Sequence, residues 1–384
     1  MNFRRIAAVA SKEWREIVRD RLFFALAFVV PAALTILFGY GLSLDVENIP
    51  MALVDHDRTA LSREYANRFI GSRYFQFKGY ADDERQLTNA LSDSKLRAVI
   101  VIPPHFQQNL LAGHPAEVQT LIDGTFPFRA LTTKGYVEAI NASMNVDVVS
   151  DYLARAAGIP LARARAMLQP VQLQVRYLYN QSVKSIWSLA PKLIMAIMMI
   201  SPPFLTALGV VREKESGSIY NIYASTVRRS EFLIGKLLPY VAISTLNVGL
   251  LWAIATLLFG APFKGDFVFF ALASILYVTC TTGIGLLVSV AVRTQVAAMM
   301  GTAILTVVPA VLYSGVLIPI SSLSEVASLI AHLLPGMYYT DIVMGSFLKG
   351  VGWRGLWGNM VVLALYATTL FALGYLLFHK RVKS

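Results

Sequence analysis

Reactive side-chain types come together at three places in this 384-residue chain: Asp55-His56-Asp57, Arg212-Glu213-Lys214-Glu215 and Gly235-Lys236. Two carboxylates flanking an imidazole can ligate a metal, but no second His lies at ligand spacing. Asp is also common where a strand turns into a helix, so the triplet reads as a turn. Gly235-Lys236 has the ending of a phosphate-binding loop, yet Leu237 stands where a Ser or Thr would be, and the upstream glycine is missing. Neither HExxH nor GxSxG occurs and the five His are scattered, so metalloprotease and serine hydrolase chemistry lack their residues. Cys280, the single cysteine, lies inside an apolar run, which excludes a disulfide, a CxxC pair and a thiolate metal cluster. The expectation is a chain that is not an enzyme and hydrolyses no ATP by itself, with no catalytic residue and no metal site.

The elements around these residues are set by composition. The chain is 56% hydrophobic and 15% charged, against roughly 45–50% and 25% in soluble domains. Crossing a ~30 Å hydrocarbon core takes about 20 apolar residues. Six runs qualify, at about 22–42, 187–211, 232–259, 267–292, 296–318 and 358–378. The formal charge is +11, but residues 45–185 hold 15 of the 34 Lys and Arg and 14 of the 23 Asp and Glu, so almost the whole excess flanks the apolar runs. That is an orienting bias rather than a nucleic-acid surface. Six basic residues precede the first run, five fall in 212–236 and three in the tail, which predicts cytoplasmic termini. The first run is longer than a signal-peptide core and has no small-residue cleavage pattern, so it is expected to stay uncleaved.

The predicted class is therefore a polytopic α-helical membrane protein with six transmembrane helices and an α/β extracytoplasmic domain. Residues 1–21 place Phe3, Ile6, Ala10, Trp14 and Ile17 at helical steps with Arg4, Arg5, Lys12, Arg15 and Arg19 elsewhere on the wheel. Such a helix lies on the cytoplasmic membrane surface, against lipid headgroups, or packs on a partner protein. The first span follows at 22–42. Residues 43–185 alternate strands with helices: strands at 51–55, 74–78, 97–102 and 118–122, helices at about 60–71, 83–93, 104–112 and 128–157, and a last strand near 171–178. Residues 186–384 hold the other five spans. Within them 319–347, broken by Pro319, Pro335 and Gly336, predicts an outer re-entrant or interfacial helical pair.

Ion-coupled transporters carry ionisable groups inside their spans, and here the spans are nearly free of them; Lys192 sits at the entrance of the second, where it can snorkel to the interface. The energy source is expected to lie outside this chain. Met195, Met198, Met199, Pro202 and Phe204 in the second span form a candidate substrate pathway, since thioethers adapt to irregular partners and the proline pair bends the helix; ordinary helix packing explains them as well. On the cytoplasmic side, Arg212-Glu213-Lys214-Glu215 ends the second span and Gly217 permits a sharp turn. A short helix 218–226 with Ile219, Ile222 and Tyr223 at helical spacing follows, and Glu231, Gly235 and Lys236 open the third span. Apolar residues at that spacing in an otherwise solvated loop suggest a helix that docks a partner.

REKESGS followed by EFLIGKLLPY resembles the coupling loop of the second-type ABC (ATP-binding-cassette) transporter permeases. KEWREIVRDR running into LFGYGL is similar to the start of the same permeases. ALVDHDRTALSREY, VIVIPPHFQQNLLAG and LIDGT resemble the outer domain of the bacterial multidrug-type exporters with a large periplasmic domain between their first two spans. The family usually has Thr, Glu and Thr-Pro where this chain has Ser218, Tyr220 and Thr226-Val227, and Phe-Asn-Pro where it has Tyr179-Asn180-Gln181. The resemblance implies a permease of the bacterial inner membrane that exports an amphipathic or drug-like substrate. It implies a separate ABC ATPase, which holds the ATP and magnesium, docked on a coupling helix at 212–230. Arg212, Glu213, Lys214, Glu215 and Gly217 match the coupling motif and Glu231, Gly235 and Lys236 its end. A second permease copy or a sister permease completes a dimer, and a periplasmic adaptor is a further partner. The rival readings are an ion-coupled secondary transporter and a non-transporting membrane scaffold or sensor.

Overall fold

Asn2 accepts the Arg4 amide at 3.0 Å and starts a helix, Phe3–Arg19, in a computed structural model that describes residues 2–42, 45–81, 84–171, 173–218, 227–316 and 318–378. Asp20 then leaves the helical region, and its carboxylate accepts the Leu22 and Phe23 amides at 2.9 and 3.4 Å, so one residue closes the first helix and caps the next. Among the described residues six helices are long and apolar enough to span a bilayer: Arg21–Gly41, Ser185–Glu215, Arg229–Leu258, Phe267–Ala291, Gln295–Leu312 and Trp353–Leu377. They are numbered here as the first to sixth spans. In the second, 78% of the apolar window is buried inside the subunit, against 17–28% in the first, fifth and sixth. The second span is therefore the central strut, and the others keep an apolar face for lipid or another subunit.

Pro191, Pro202 and Pro203 lie inside the second span without ending it. The Thr206 hydroxyl donates back to the Pro202 carbonyl at 2.9 Å, so this buried polar side chain is satisfied within its own helix. Wide π-helical turns occur at Ala25–Val29, Ile254–Leu258 and Gly345–Lys349. In the first of these, Ser201 Oγ donates to the Leu26 carbonyl at 3.2 Å and Asn247 Nδ2 to the Ala27 carbonyl at 2.9 Å. Neighbouring spans thus satisfy the carbonyls that the wide turn leaves askew. The sequence pattern carries the fifth span to 318, but its helix stops at Leu312, ahead of Gly315 at φ +79°. Two short helices follow, Glu325–His332 and Pro335–Met344; the second buries Tyr339, stacked on Tyr277 of the fourth span at 4.1 Å.

The chain divides into two compact units, Met1–Leu44 with Tyr177–Ser384 and, separately, Asp45–Arg176. The second unit is built on a four-stranded sheet ordered β2-β1-β3-β4, with β1 Ile49–Asp55, β2 Phe75–Tyr80, β3 Ala98–Ile102 and β4 Gln119–Ile122. The first three strands run parallel and β4 is antiparallel to β3. β3 is apolar throughout and buried at every residue, because both faces of the sheet are covered. Met51, Leu53 and Ile100 pack on Tyr65, Phe69 and Phe106, while Val54 and Val99 face Leu87 and Leu96. The long helix Pro127–Ala157 adds Val137 and Met144 to the first face.

Asp55 and Asp57 fill the turn after β1. Asp55 accepts the Asp57 and Arg58 amides and the Ser62 hydroxyl. Asp57 accepts the Gln107 amide at 3.0 Å and the Thr59 hydroxyl at 2.5 Å. Replacing Asp57 with Ala is expected to cost about 1 kcal/mol, as for a lost helix cap. Calorimetry on the full chain should show the transition of this unit fall by about 3–5 °C.

One strand of the sequence reading is corrected. The described residues of 171–178 enter no ladder, and Val171, Leu173 and Val175 are exposed. Alternating apolar spacing needs a free sheet edge within hydrogen-bonding distance, which spacing alone does not provide. A helix absent from that reading, Leu161–Leu168, precedes the segment, tied to the long helix by Arg165 and Asp147 at 2.7 Å.

Candidate functional site

Four consecutive side chains on a helix leave it about 100° apart, so a charged tetrapeptide at a helix end can reach four neighbours. Arg212-Glu213-Lys214-Glu215 does this at the last turn of the second span. Arg212 pairs with Asp20 at 2.5 Å, at the joint between the N-terminal helix and the first span. That hydrogen bond holds the Asp20 carboxyl below its ordinary range. Glu213 pairs with Lys12 of the N-terminal helix at 2.6 Å and with Lys236 of the third span at 2.8 Å. Lys214 Nζ donates to the carbonyls of Ser289, Val290 and Val292, where the fourth span exposes its unpaired C-terminal acceptors. Glu215 accepts from the Gln295 side-chain amide at 2.7 Å and from its backbone amide at 3.4 Å, at the N-terminus of the fifth span. One tetrapeptide thus fastens the N-terminal helix and four other spans to the central one.

Beneath it lies a buried ionic cluster. Lys236 is fully buried, 2.6 Å from Glu13 and 3.4 Å from the Gly209 carbonyl. The Tyr240 hydroxyl donates to the second Glu13 oxygen at 3.0 Å. Burial pushes the Glu13 carboxyl up, and the Lys236 ammonium opposes it. The oxygens of Glu13, Glu16 and Glu213 lie within 4.8 Å of one another, a spacing that can hold a cation. Here the ammonium groups of Lys12 and Lys236 supply the positive charge, so the arrangement is an ion-pair network, with two acids against two bases at its centre.

Glu231 and Gly235 bring the N-terminal helix onto the third span. Glu231 accepts the Asn2 amide at 2.8 Å and the Arg228 amide at 3.0 Å, with Arg5 3.7 Å away. A Cβ at position 235 would stand 2.9 Å from both the Ile6 carbonyl oxygen and the Val9 Cβ, so only glycine lets the two helices cross this closely. Gly217, at φ +74°, turns the chain after the second span. Ile219, Ile222 and Tyr223 lie outside the described residues. The structure brings the other eight coupling residues to the neighbouring ends of these helices.

A family model described as ABC-2 family transporter protein matches residues 21–376. The chain belongs to that family. Probable multidrug ABC transporter permease YbhS of Escherichia coli K12 is 27% identical over 91% of this chain and 90% of its own length. YbhR, a second probable multidrug permease of the same organism, is 24% identical over 99% of this chain and all of its own. Linearmycin resistance permease protein LnrN of Bacillus subtilis is 23% identical over 97% and 98%. As an ABC-2 permease the chain is a multi-pass, non-catalytic membrane subunit, and its family implies an ABC ATPase partner.

In this ABC-2 permease the sequence pattern did not mark Lys12, Glu13, Asp20 and Tyr240 as site residues. A signal existed for Glu13, which falls on the same helical stripe as Ile6, Val9 and Ile17, where an apolar residue would be expected. Of the pathway candidates, Met195, Met198, Met199 and Pro202 are buried among the helices of one subunit, with the Tyr277 hydroxyl on the Met195 carbonyl at 3.1 Å. Phe204 is half-buried and lines a groove against the first span.

Proposed function

We propose that this ABC-2 permease is the membrane subunit of an exporter that moves an amphipathic or drug-like substrate outward, driven by ATP and magnesium bound in a separate ATPase. The observation that carries this reading is the junction at Arg212–Glu215, where a push on one short segment reaches the N-terminal helix and five spans. The names of its relatives, multidrug and linearmycin resistance permeases, support a drug-like substrate. In this proposal both termini and 212–230 face the cytoplasm of a bacterial cell, the membrane is the inner one, and the unit Asp45–Arg176 lies in the periplasm. The ATPase docks on 212–230, and a second copy or a sister permease completes a dimer, with a periplasmic adaptor as a further partner. The substrate path runs along the second span past Phe204, and reaches Met195, Met198, Met199 and Pro202 only when the helices enclosing them part.

Transport into vesicles carrying permease and ATPase tests this. Uptake of a fluorescent amphipathic drug is expected with ATP and magnesium, and not with a proton gradient alone. Gradient-driven uptake without nucleotide would instead establish a secondary transporter, and no uptake under either condition a scaffold or sensor. Against the gradient-driven alternative, the buried carboxylates Glu13 and Glu213 are already neutralised by lysines at the helix ends.

A further inference from the structure

Between the N-terminal helix, the start of the first span and the end of the second lies a cleft of about 630 Å³. Four basic residues line it, Lys12, Arg15, Arg19 and Arg212, beside the apolar walls of Ile17 and Phe23. Three acids line it too, but Glu213 and Asp20 are engaged by Lys12 and Arg212, and Glu16 stands 3.6 Å from Lys12. Arg15 donates only to Ser11, and among the described residues neither Arg15 nor Arg19 meets a carboxylate at ion-pair distance. Two guanidinium groups, those of Arg15 and Arg19, thus face the cleft without a carboxylate partner among the described residues, and its four bases exceed its three acids by one charge.

Further along the same two spans, an apolar groove of about 180 Å³ runs between Leu26, Val30 and Leu34 of the first and Ile197, Ile200 and Phe204 of the second. It begins at the π-helical turn Ala25–Val29. On the outer side of the N-terminal helix, Phe3, Trp14 and Val18 are exposed next to the basic face of Arg4, Arg15 and Arg19. Phe23 lines the charged cleft and Leu26, three residues on in the same span, lines the apolar groove.

We propose that cleft and groove together bind one anionic phospholipid, its phosphate held by Arg15 and Arg19 and one acyl chain laid between the first and second spans. The bound lipid pins the N-terminal helix beside the junction. Charge complementarity selects the head, because a zwitterionic lipid brings an ammonium that the two arginines repel. The groove selects a tail, since a free phosphate would leave its apolar lining unfilled. This site gives a chemical identity to the surface placement of the N-terminal helix, on which it rests.

Native mass spectrometry of the full-length permease, without ATPase or nucleotide, tests it. One phosphatidylglycerol should stay bound at least tenfold more tightly than phosphatidylcholine. The double variant Arg15→Gln, Arg19→Gln should weaken phosphatidylglycerol by about tenfold or more, since each basic residue near a headgroup adds its own attraction. Arg15→Lys with Arg19→Lys should retain most of it. Leu34→Trp, which fills the groove and leaves the charges alone, should also weaken it, and supplies the test should the arginine variant not fold. Equal retention of the two lipids, or no effect of either variant, overturns the proposal. Displacement by glycerol phosphate, a head without a tail, overturns it in favour of a free-phosphate site. Failure of ATP-driven transport leaves this binding readout untouched.

Discussion

Reversing Glu213 to Lys is expected to abolish substrate-stimulated ATP hydrolysis in the permease–ATPase complex, by about 100-fold or more. The new ammonium would sit beside Lys12 and Lys236, which now lie 2.6 and 2.8 Å from the Glu213 carboxylate. Breaking a buried pair by removing one partner costs about 3–5 kcal/mol, and a like charge in its place costs more. Glu215→Lys should act in the same direction but less strongly, because Glu215 is exposed and its partner Gln295 is neutral. Hydrolysis with and without substrate, on complexes matched by size-exclusion profile, is the measurement. Unchanged stimulation in the Glu213→Lys, Glu215→Lys double variant would remove the coupling role from this junction. A neutral set, Glu13→Gln, Lys236→Met and Glu213→Gln, asks a sharper question. Full activity there would mean that the junction needs packing and not charge.

Gly235→Leu should lift the N-terminal helix from the third span. A single Cβ already meets backbone at 2.9 Å, and a leucine adds three further carbons against Ile6 and Val9. Overpacking of this kind costs about 1–3 kcal/mol, which shifts a docking equilibrium by roughly 5–150-fold. Labelling by a membrane-impermeant maleimide at Ile6→Cys reads it, with little background because Cys280, the only native cysteine, is buried. The Gly235→Leu background should raise the labelling rate at least fivefold. An unchanged rate would mean that the helix does not depend on this crossing.

The apolar runs and the strand and helix alternation were legible because each is a short-range pattern. The run at 22–42 is a helix at Arg21–Gly41, and the reading of 97–102 as a strand meets β3 at Ala98–Ile102. The tetrapeptide 212–215 could be picked out as unusual, since four charges closing an apolar run need a reason. Which neighbours it would touch could not, because Asp20, Lys12 and Gln295 are brought there by tertiary packing across up to 201 residues of sequence. The burial of Lys236 was hidden for a related reason: a lysine at the start of a span reads as a snorkelling interfacial charge until Glu13 is known to cover it. The N-terminal helix was read with one apolar face, yet it has two adjacent ones. Ile6 and Ile17 pack on the spans, while Phe3 and Trp14 stay exposed. The methionine row looked like a lining because sulfur suits varied partners, and the same adaptability suits a tight interior where Met195 lies against Gly336.

The π-helical turn at Ala25–Val29 has an evolutionary corollary. One surplus residue is wound into that turn, so everything before it is out of phase by about 100° with everything after it. Phe23 on one side, and Thr35 and Gly39 on the other, face inward together only because the surplus residue is there. Straightening that turn into α-helix with every residue kept would swing Thr35 and Gly39 by about 100° toward the hydrocarbon, whereas loss of one residue between 25 and 29 would give a regular helix with both still facing inward. Among related permeases a single-residue gap should therefore be tolerated in this stretch more readily than elsewhere in the first span, and should come with a regular α-helix in place of the wide turn.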